Sequence, residues 1–511
     1  MDAAKTKPAE SMSRNTPGFF FAMRVLTGIV GVAIPVLLAR SMSIDDFAAY
    51  ATIGATAALS AAVSSLGVDR ASLRFLPAFA GKAGLPNLVR FLLALTLPRL
   101  LALSLVVIGV LWSGIWLPQD GKEPVDAASG AITLIVCLSL TNAFGQLTSG
   151  FIQGLLLHGA YAVISFGTVL VRILALLVFL RLDGTLRFDL VLWVFIATEL
   201  AGSAVQLAVL LANGGRQAEQ PGEFAMPSFR EVVAASKANY VSYLVGIPWL
   251  PPSLILLVSH FSTREVTAAY AFFLTLAERA RMFLPVQMLQ GYVEPIWARL
   301  YSKDNRVNRF REPATLLLQA NHFILALGVC MLLAVGDQLL RTYTKAVYAD
   351  HYFFLLLILV QVGISSLGGM LWIGMNATHQ SERLASAYMP VSIGLALLLI
   401  PSVHLAGASG VIITSYLPTI SLLLILRHIQ NDHFAKLSFR LHKGVQLFLI
   451  ALIAGLAGKY VSSGLSDTAM QGMLVGMAVS TIAFSVGCLA TQRLNRAQGL
   501  LVKHFIRGAA R

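Results

Sequence analysis

The chain has 511 residues, of which 57% are hydrophobic and only 12% are charged, and its mean hydropathy is +0.75. Soluble globular proteins carry a charge on about a quarter of their residues, so this composition excludes a water-exposed fold and a sizeable soluble domain. The 3 cysteines and 10 histidines show neither disulfide nor metal-ligand spacing. The sequence therefore predicts no metal site, no cofactor and no catalytic constellation.

Apolar stretches of roughly 20 residues, long enough to cross a bilayer as helices, follow one another along the chain. They predict an all-α polytopic membrane protein with about 14 transmembrane helices, and their length excludes a β-barrel. The polar residues 1–17 precede the first stretch without a small-residue cleavage site, so we expect an uncleaved first helix. The predicted spans are 18–39, 47–67, 90–112, 129–150, 160–180, 188–211, 237–258, 266–291, 314–336, 351–375, 384–404, 406–427, 444–463 and 468–490.

Lysine and arginine residues are concentrated in the even-numbered connections and in the C-terminal tail, within residues 70–90, 299–311, 427–443 and 493–511. The positive-inside rule then predicts that both termini are cytoplasmic. Anionic lipid headgroups account for the formal net charge of +14, so we expect no nucleic-acid partner.

A short pattern occurs twice, as S-I-D-D-F at residues 43–47 before Tyr50, and as S-T-R-E-V at residues 262–266 before Tyr270. In each copy the serine is predicted to cap the following helix. An even number of predicted spans separates the copies, which predicts two parallel six-helix lobes plus two C-terminal helices, a transporter design. The predicted organisation is an N-terminal tail (1–17), an N-lobe (18–211), a cytoplasmic linker (212–236), a C-lobe (237–427), a cytoplasmic loop (428–443), two further spans (444–490) and a basic tail (491–511).

The stretch LLARSMSIDDFAAY at residues 37–50 resembles the first-loop signature of the multidrug/oligosaccharidyl-lipid/polysaccharide flippase superfamily, roughly L-A-R-x-L-G-x-x-[DE]-[FY]-G-x-Y. The stretch LGVDRASLRFLP at residues 66–77 is similar to the next loop of that family. Ser43 and Ala48 stand where the signature has glycine. The resemblance points to the polysaccharide-transporter (Wzx-type) branch.

This resemblance implies a flippase, and not an enzyme, that moves undecaprenyl-diphosphate-linked oligosaccharide repeat units across the inner membrane. The units would serve exopolysaccharide, capsule or O-antigen synthesis. Movement would occur by alternating access through a cationic central cavity. The implied partners are the lipid-linked oligosaccharide substrate and a polysaccharide polymerase or export complex, and the transporter would be monomeric.

Five arginines inside predicted spans are the candidate substrate-binding cations. A lipid-facing arginine at mid-membrane costs roughly 2.5 to 3.5 kcal/mol, so these side chains must face protein, water or an interface. The arginines are Arg24, Arg99, Arg172, Arg279 and Arg281.

All of these arginines except Arg279 also have a structural interpretation. Arg24 is close enough to the cytoplasmic end of span 1 to extend to the interface. Arg281 follows Glu278 by three residues and could neutralise it on the same helix face. Glu199 in span 6 either pairs with Arg172 or couples transport to protons or sodium, and Glu278 is the second candidate for ion coupling.

Polar residues add further candidates. Asn142 and Gln146, with Ser149 and Gln153, fall on one face of span 4, and Asn239 opens span 7. Such side chains either join helices by hydrogen bonds or line a wet cavity that binds sugar hydroxyls. Three prolines in span 7, Pro248, Pro251 and Pro252, predict a hinge.

Three other functions fit parts of the pattern. A drug/cation antiporter or a lipid II flippase would share the implied fold. A membrane polysaccharide polymerase or glycosyltransferase would need a long periplasmic loop with catalytic acids, whereas the predicted outside connections are short.

Overall fold

The computed structural model describes residues 17–68, 72, 75–76, 85–114, 125–155, 157–216, 228–288, 308–377, 381–429, 441–464 and 469–490. Every regular element within these ranges is helical, which confirms the predicted all-α class.

The helices are numbered in chain order. They are α1 (Pro17–Ser41), α2 (Ile44–Val63), α3 (Leu85–Ser113), α4 (Val125–Gly154), α5 (His158–Asp183), α6 (Phe188–Arg216), α7 (Phe229–Leu244), α8 (Pro251–Phe261), α9 (Arg264–Arg281), α10 (Asn308–Tyr343), α11 (Ala346–Asp350), α12 (Tyr352–Ala377), α13 (Ser381–Ala396), α14 (Leu399–Thr414), α15 (Leu417–Ile429), α16 (Leu441–Gly464) and α17 (Ala469–Ala490).

Within the described ranges, 10 helices are long and apolar enough to cross a membrane. They are α1 to α6, α10, α12, α16 and α17, and they coincide with predicted spans 1 to 6, 9, 10, 13 and 14. The bent pair α13 and α14 raises the number to 11 if the pair forms one span. A multi-pass membrane protein is therefore confirmed.

Predicted span 7 is interrupted in its middle. Helix α7 ends at Leu244, a 3₁₀ turn follows, and α8 begins at Pro251 after an extended Leu250 (φ −69°, ψ 143°). Proline lacks the backbone N–H that a helix interior requires but is well suited to the first helical turn. Pro248, Pro251 and Pro252 therefore place a break here, whereas hinge motion at the break stays a prediction.

The predicted spans 8, 11 and 12 are also irregular. Helix α9 ends at Arg281, and a turn precedes Pro285. Helices α13 and α14 meet at an angle of 65°. The predicted boundary between spans 11 and 12, at residue 405, falls beside Ala406 and Gly407, whose backbone is not helical. Gly407 has φ +56°, a conformation that glycine adopts without strain.

The chain divides into two compact units, residues 1–271 and 272–511. In the first unit, α4 packs against α2 and α6, α5 packs against α1 and α6, and α8 packs against α2. Buried apolar side chains such as Phe151, Ile135 and Leu192 form the core of these contacts. The predicted boundaries of the two lobes, at residues 211 and 237, were derived from the order of the spans along the chain, and they stay predictions.

In the second unit, α16 and α17 pack against each other and against α10. Small residues allow this close approach. A Cβ atom built on Gly458 would lie 2.7 Å from the carbonyl oxygen of Gly476 and 3.0 Å from the Cβ of Ala334. The two C-terminal helices thus pack closely enough against each other and α10 that backbone atoms and small side chains are in contact.

The repeated pattern has a different register from the one we predicted. Ser43 Oγ accepts a hydrogen bond from the Asp46 amide at 3.0 Å, as expected. In the second copy Thr263 Oγ1, and not Ser262, accepts from the Val266 amide at 3.4 Å. The assignment of Ser262 as the cap was wrong because the second copy is one residue longer before its tyrosine. With Thr263 aligned to Ser43, both tyrosines fall seven residues after their caps.

We expect Gly458→Ala to lower the free energy of unfolding by about 1–3 kcal/mol, because its methyl group overpacks the junction of α10, α16 and α17. The matched control is Gly394→Ala in α13, where no heavy atom lies within 4 Å of the position that the new methyl group would take. Denaturation of the purified protein in detergent micelles measures both variants. Equal stabilities would contradict the close packing.

Candidate functional site

Arg99 of α3 is completely buried in the first unit. Its Nη2 donates to Gln146 Oε1 on α4 at 2.5 Å and to the carbonyl oxygen of Ala61 on α2 at 3.4 Å. Three helices therefore contribute to holding one charged group. Gln146 itself is exposed, so the arginine lies immediately behind an accessible amide.

Arg172 of α5 is buried against α6. Its Nε donates to Thr198 Oγ1 at 3.0 Å, and its Nη2 lies 2.7 Å from Glu199 Oε2. The guanidinium carbon is 4.3 Å from the centre of the Phe195 ring, a cation–π contact. The pairing of Arg172 with Glu199, which the sequence left open, is present in the structure.

The polar face of α4 has mixed roles. Ser149 Oγ donates to Gln206 Oε1 on α6 at 3.2 Å, and Gln153 Nε2 donates to the Ser149 carbonyl oxygen at 3.0 Å. These bonds agree with the interpretation that polar residues of α4 form hydrogen bonds between helices and within their own helix. Gln146 is exposed and Asn142 is half-buried, so these two amides remain accessible to a ligand.

In the second unit, the acid and the arginine at the end of α9 pair with each other. Arg281 Nη1 lies 3.3 Å from Glu278 Oε1, and both side chains are about one-third exposed. Arg279 is half-buried on the same helix. The Glu278–Arg281 pair neutralises itself as the i,i+3 spacing allows.

Asn321 of α10 was not recognised from the sequence as important. It is completely buried, and its Oδ1 accepts from the Val286 amide at 3.3 Å, while its Nδ2 donates to Ser366 Oγ of α12 at 2.8 Å. Val286 lies in the first helical turn after the interruption that follows Arg281, where backbone amides have no acceptor within the helix, so its amide needs another one. An asparagine in the middle of an apolar span was the available signal.

The remaining predicted residues are placed as follows. Arg24 is half-buried in α1. Asn239 belongs to α7, and its side chain lies outside the described part of the structure. Pro248, Pro251 and Pro252 lie at the break between α7 and α8.

The two copies of the repeated pattern meet at an ion pair. Arg264 Nη1 at the start of α9 lies 3.7 Å from Asp45 Oδ1 at the start of α2, with the two side chains 35% and 69% exposed. The sequence did not predict this partner for Asp45. Its pairing requires the two helix starts to be neighbours, which the local pattern does not reveal.

Among the described residues, no group of three or more His, Cys, Asp and Glu side chains could hold a metal ion.

The fold has counterparts among solved structures. The lipid II flippase MurJ, in an inward-closed conformation, matches with a TM-score of 0.63 at 14% identity, over 93% of this chain and 99% of that chain. The multidrug transporter DinF-BH of the MATE family matches with a TM-score of 0.51 at 16% identity, over 84% of this chain and 98% of that chain. The chain has the MurJ/MATE fold.

This is the fold that the resemblance of the two loop stretches implied. No sequence-family model and no curated protein matches the chain. Membership of the polysaccharide-transporter branch is therefore a proposal.

We expect Gln146→Ala to destabilise the first unit by about 1.5–3 kcal/mol, the usual contribution of a hydrogen bond to a charged group. Loss of the amide leaves the buried Arg99 without its shortest hydrogen bond. Gln153→Ala is the control, because its amide bonds only to its own helix. Unfolding in detergent micelles measures both, and an equally small loss in each would show that Gln146 does not support Arg99.

Proposed function

We propose that this protein is a flippase which moves undecaprenyl-diphosphate-linked oligosaccharide repeat units across a bacterial inner membrane by alternating access. Both termini would be cytoplasmic, and the units would supply synthesis of a surface polysaccharide. The observation that carries the proposal is the burial of Arg99 and Arg172 within membrane-spanning helices beside accessible polar side chains.

The chemistry of these groups matches the two parts of such a substrate. The planar guanidinium presents a fork of N–H donors that fits phosphate oxygens. Amides such as Asn142 and Gln146 donate and accept hydrogen bonds, as sugar hydroxyls require. An apolar carrier chain would stay in the surrounding bilayer, which offers it no unfavourable contact.

The ion pair between Asp45 and Arg264 supports alternating access. It joins the starts of α2 and α9, which are predicted to lie on the periplasmic side. An exposed pair contributes only about 0.2–1 kcal/mol, so it can form and break during a transport cycle. The interruption between α7 and α8 supplies a place where the backbone can bend.

A lipid II flippase is the second candidate, since the structure of MurJ matches over almost the whole chain. Both candidate substrates are lipid-linked headgroups, so the two proposals differ in the headgroup that the lipid carries. Cation-drug antiport is less well supported. It would need a carboxylate available to a cation, and Glu199 is already bonded to Arg172. The two matching structures described above are a flippase and a multidrug transporter, so neither of them favours an enzymatic function.

In a strain lacking this protein, we expect loss of surface polysaccharide, which the wild-type gene restores. Arg172→Ala, and the charge-balanced Arg172→Ala/Glu199→Ala double variant, should each restore less than about a tenth of it, because both remove an anion-binding guanidinium. The measurement is surface polysaccharide per cell at equal protein level in the membrane.

The other functions give different results in the same strain. Arrest of peptidoglycan synthesis with intact surface polysaccharide would identify a lipid II flippase. Drug hypersensitivity alone would identify an antiporter. Normal export by the double variant would contradict the role of Arg172.

A further inference from the structure

The two partners of the Arg172–Glu199 pair differ in accessibility. The arginine side chain is 8% exposed, whereas the glutamate side chain is 35% exposed. Thr198 Oγ1 and the Phe195 ring hold the guanidinium from α6, so its position does not depend on the carboxylate alone. The arginine is thus held within the first unit by other contacts as well, and the glutamate is the more accessible partner of the pair.

The Glu199 carboxylate lies beside two small residues, Gly145 and Ser203. A Cβ atom on Gly145 of α4 would come within 2.8 Å of Glu199 Oε1 and within 3.4 Å of Ser203 Oγ. Ser203 is 1% exposed, and its hydroxyl has no hydrogen-bond partner among the described residues. A buried hydroxyl without a hydrogen bond therefore lies beside the carboxylate. Such a group lowers the stability of the fold, and a bound oxyanion that accepted its hydrogen bond would remove this cost.

We propose that Glu199 occupies an oxyanion site formed by Arg172 and Ser203, and that a phosphate group of the transported substrate displaces it. This inference rests on the proposed function and adds a role for one residue. Glu199 serves as an internal counter-ion that the substrate replaces, and it is not a permanent structural partner.

Physical reasons favour exchange. An empty site with a buried guanidinium would hold an uncompensated charge, which is strongly unfavourable in this environment. Carboxylate and phosphate use the same guanidinium fork, so one can take the place of the other. Since Glu199 is already about one-third exposed, it can swing outward at small cost. There its negative charge would lie close to the bound phosphate and would promote release.

Binding of farnesyl diphosphate to the full-length protein in detergent, measured by calorimetry, tests the exchange. We expect Glu199→Gln to bind about tenfold more tightly than wild type, because the competing charge-assisted hydrogen bond is lost. Arg172→Gln and the Arg172→Gln/Glu199→Gln double variant should both bind at least about tenfold more weakly than wild type.

Gly145→Ala provides a test that keeps both charges. Its methyl group would press on the Glu199 carboxylate, so we expect tighter binding in the same direction as Glu199→Gln. Gly167→Ala in α5 is the matched control, since no heavy atom lies within 4 Å of its Cβ position, and it should bind as wild type does.

The outcomes separate this inference from the proposed function. Unchanged or weaker binding by Glu199→Gln, with a lower melting temperature, would overturn the exchange and leave a structural ion pair. If wild type binds farnesyl diphosphate in that case, the flippase proposal still stands. If no variant binds farnesyl diphosphate but Glu199→Gln gains affinity for inorganic pyrophosphate, the exchange site stands and the lipid-linked substrate is wrong.

Discussion

Guanidinium groups within apolar helices impose the main constraint on this structure, because acyl chains offer them no hydrogen bonds. The first unit meets that constraint twice. Arg99 donates hydrogen bonds to an amide and a backbone carbonyl from two neighbouring helices. Arg172 is satisfied by a hydroxyl, a carboxylate and an aromatic ring from one neighbour. In both cases the partner nearest the accessible side, Gln146 or Glu199, is a group that a substrate could replace or join.

The repeated pattern shows how similar sequences acquire different roles in two places. Ser43 and Thr263 cap equivalent helix starts, and the equivalent tyrosines follow at the same spacing. Between them, however, one copy contributes Asp45 and the other contributes Arg264. Arg264 directly follows its cap, where the first copy has the apolar Ile44, and this difference between the copies gives Asp45 a partner of opposite charge.

The sequence predicted well what depends on local composition. Ten spans follow from residues close together in the chain. The three prolines marked the place where span 7 is interrupted, and the i,i+3 spacing allowed the Glu278–Arg281 pair as one of two interpretations. It did not predict the partner of Arg99, because Gln146 belongs to another helix and hydropathy does not fix helix rotation. The roles of Asn321 and Thr263 were missed for a related reason. One depends on a backbone amide freed in a distant turn, and the other on a one-residue shift of register.

The location of lipid-linked repeat units in cells lacking this protein tests the central claim most directly. Spheroplasts would be treated with a membrane-impermeant reagent that oxidises glycans, and the protected units would be quantified by mass spectrometry. A flippase predicts that the units accumulate and stay protected in the cytoplasmic leaflet. Units that reach the reagent to the same extent as in wild-type cells would contradict the account.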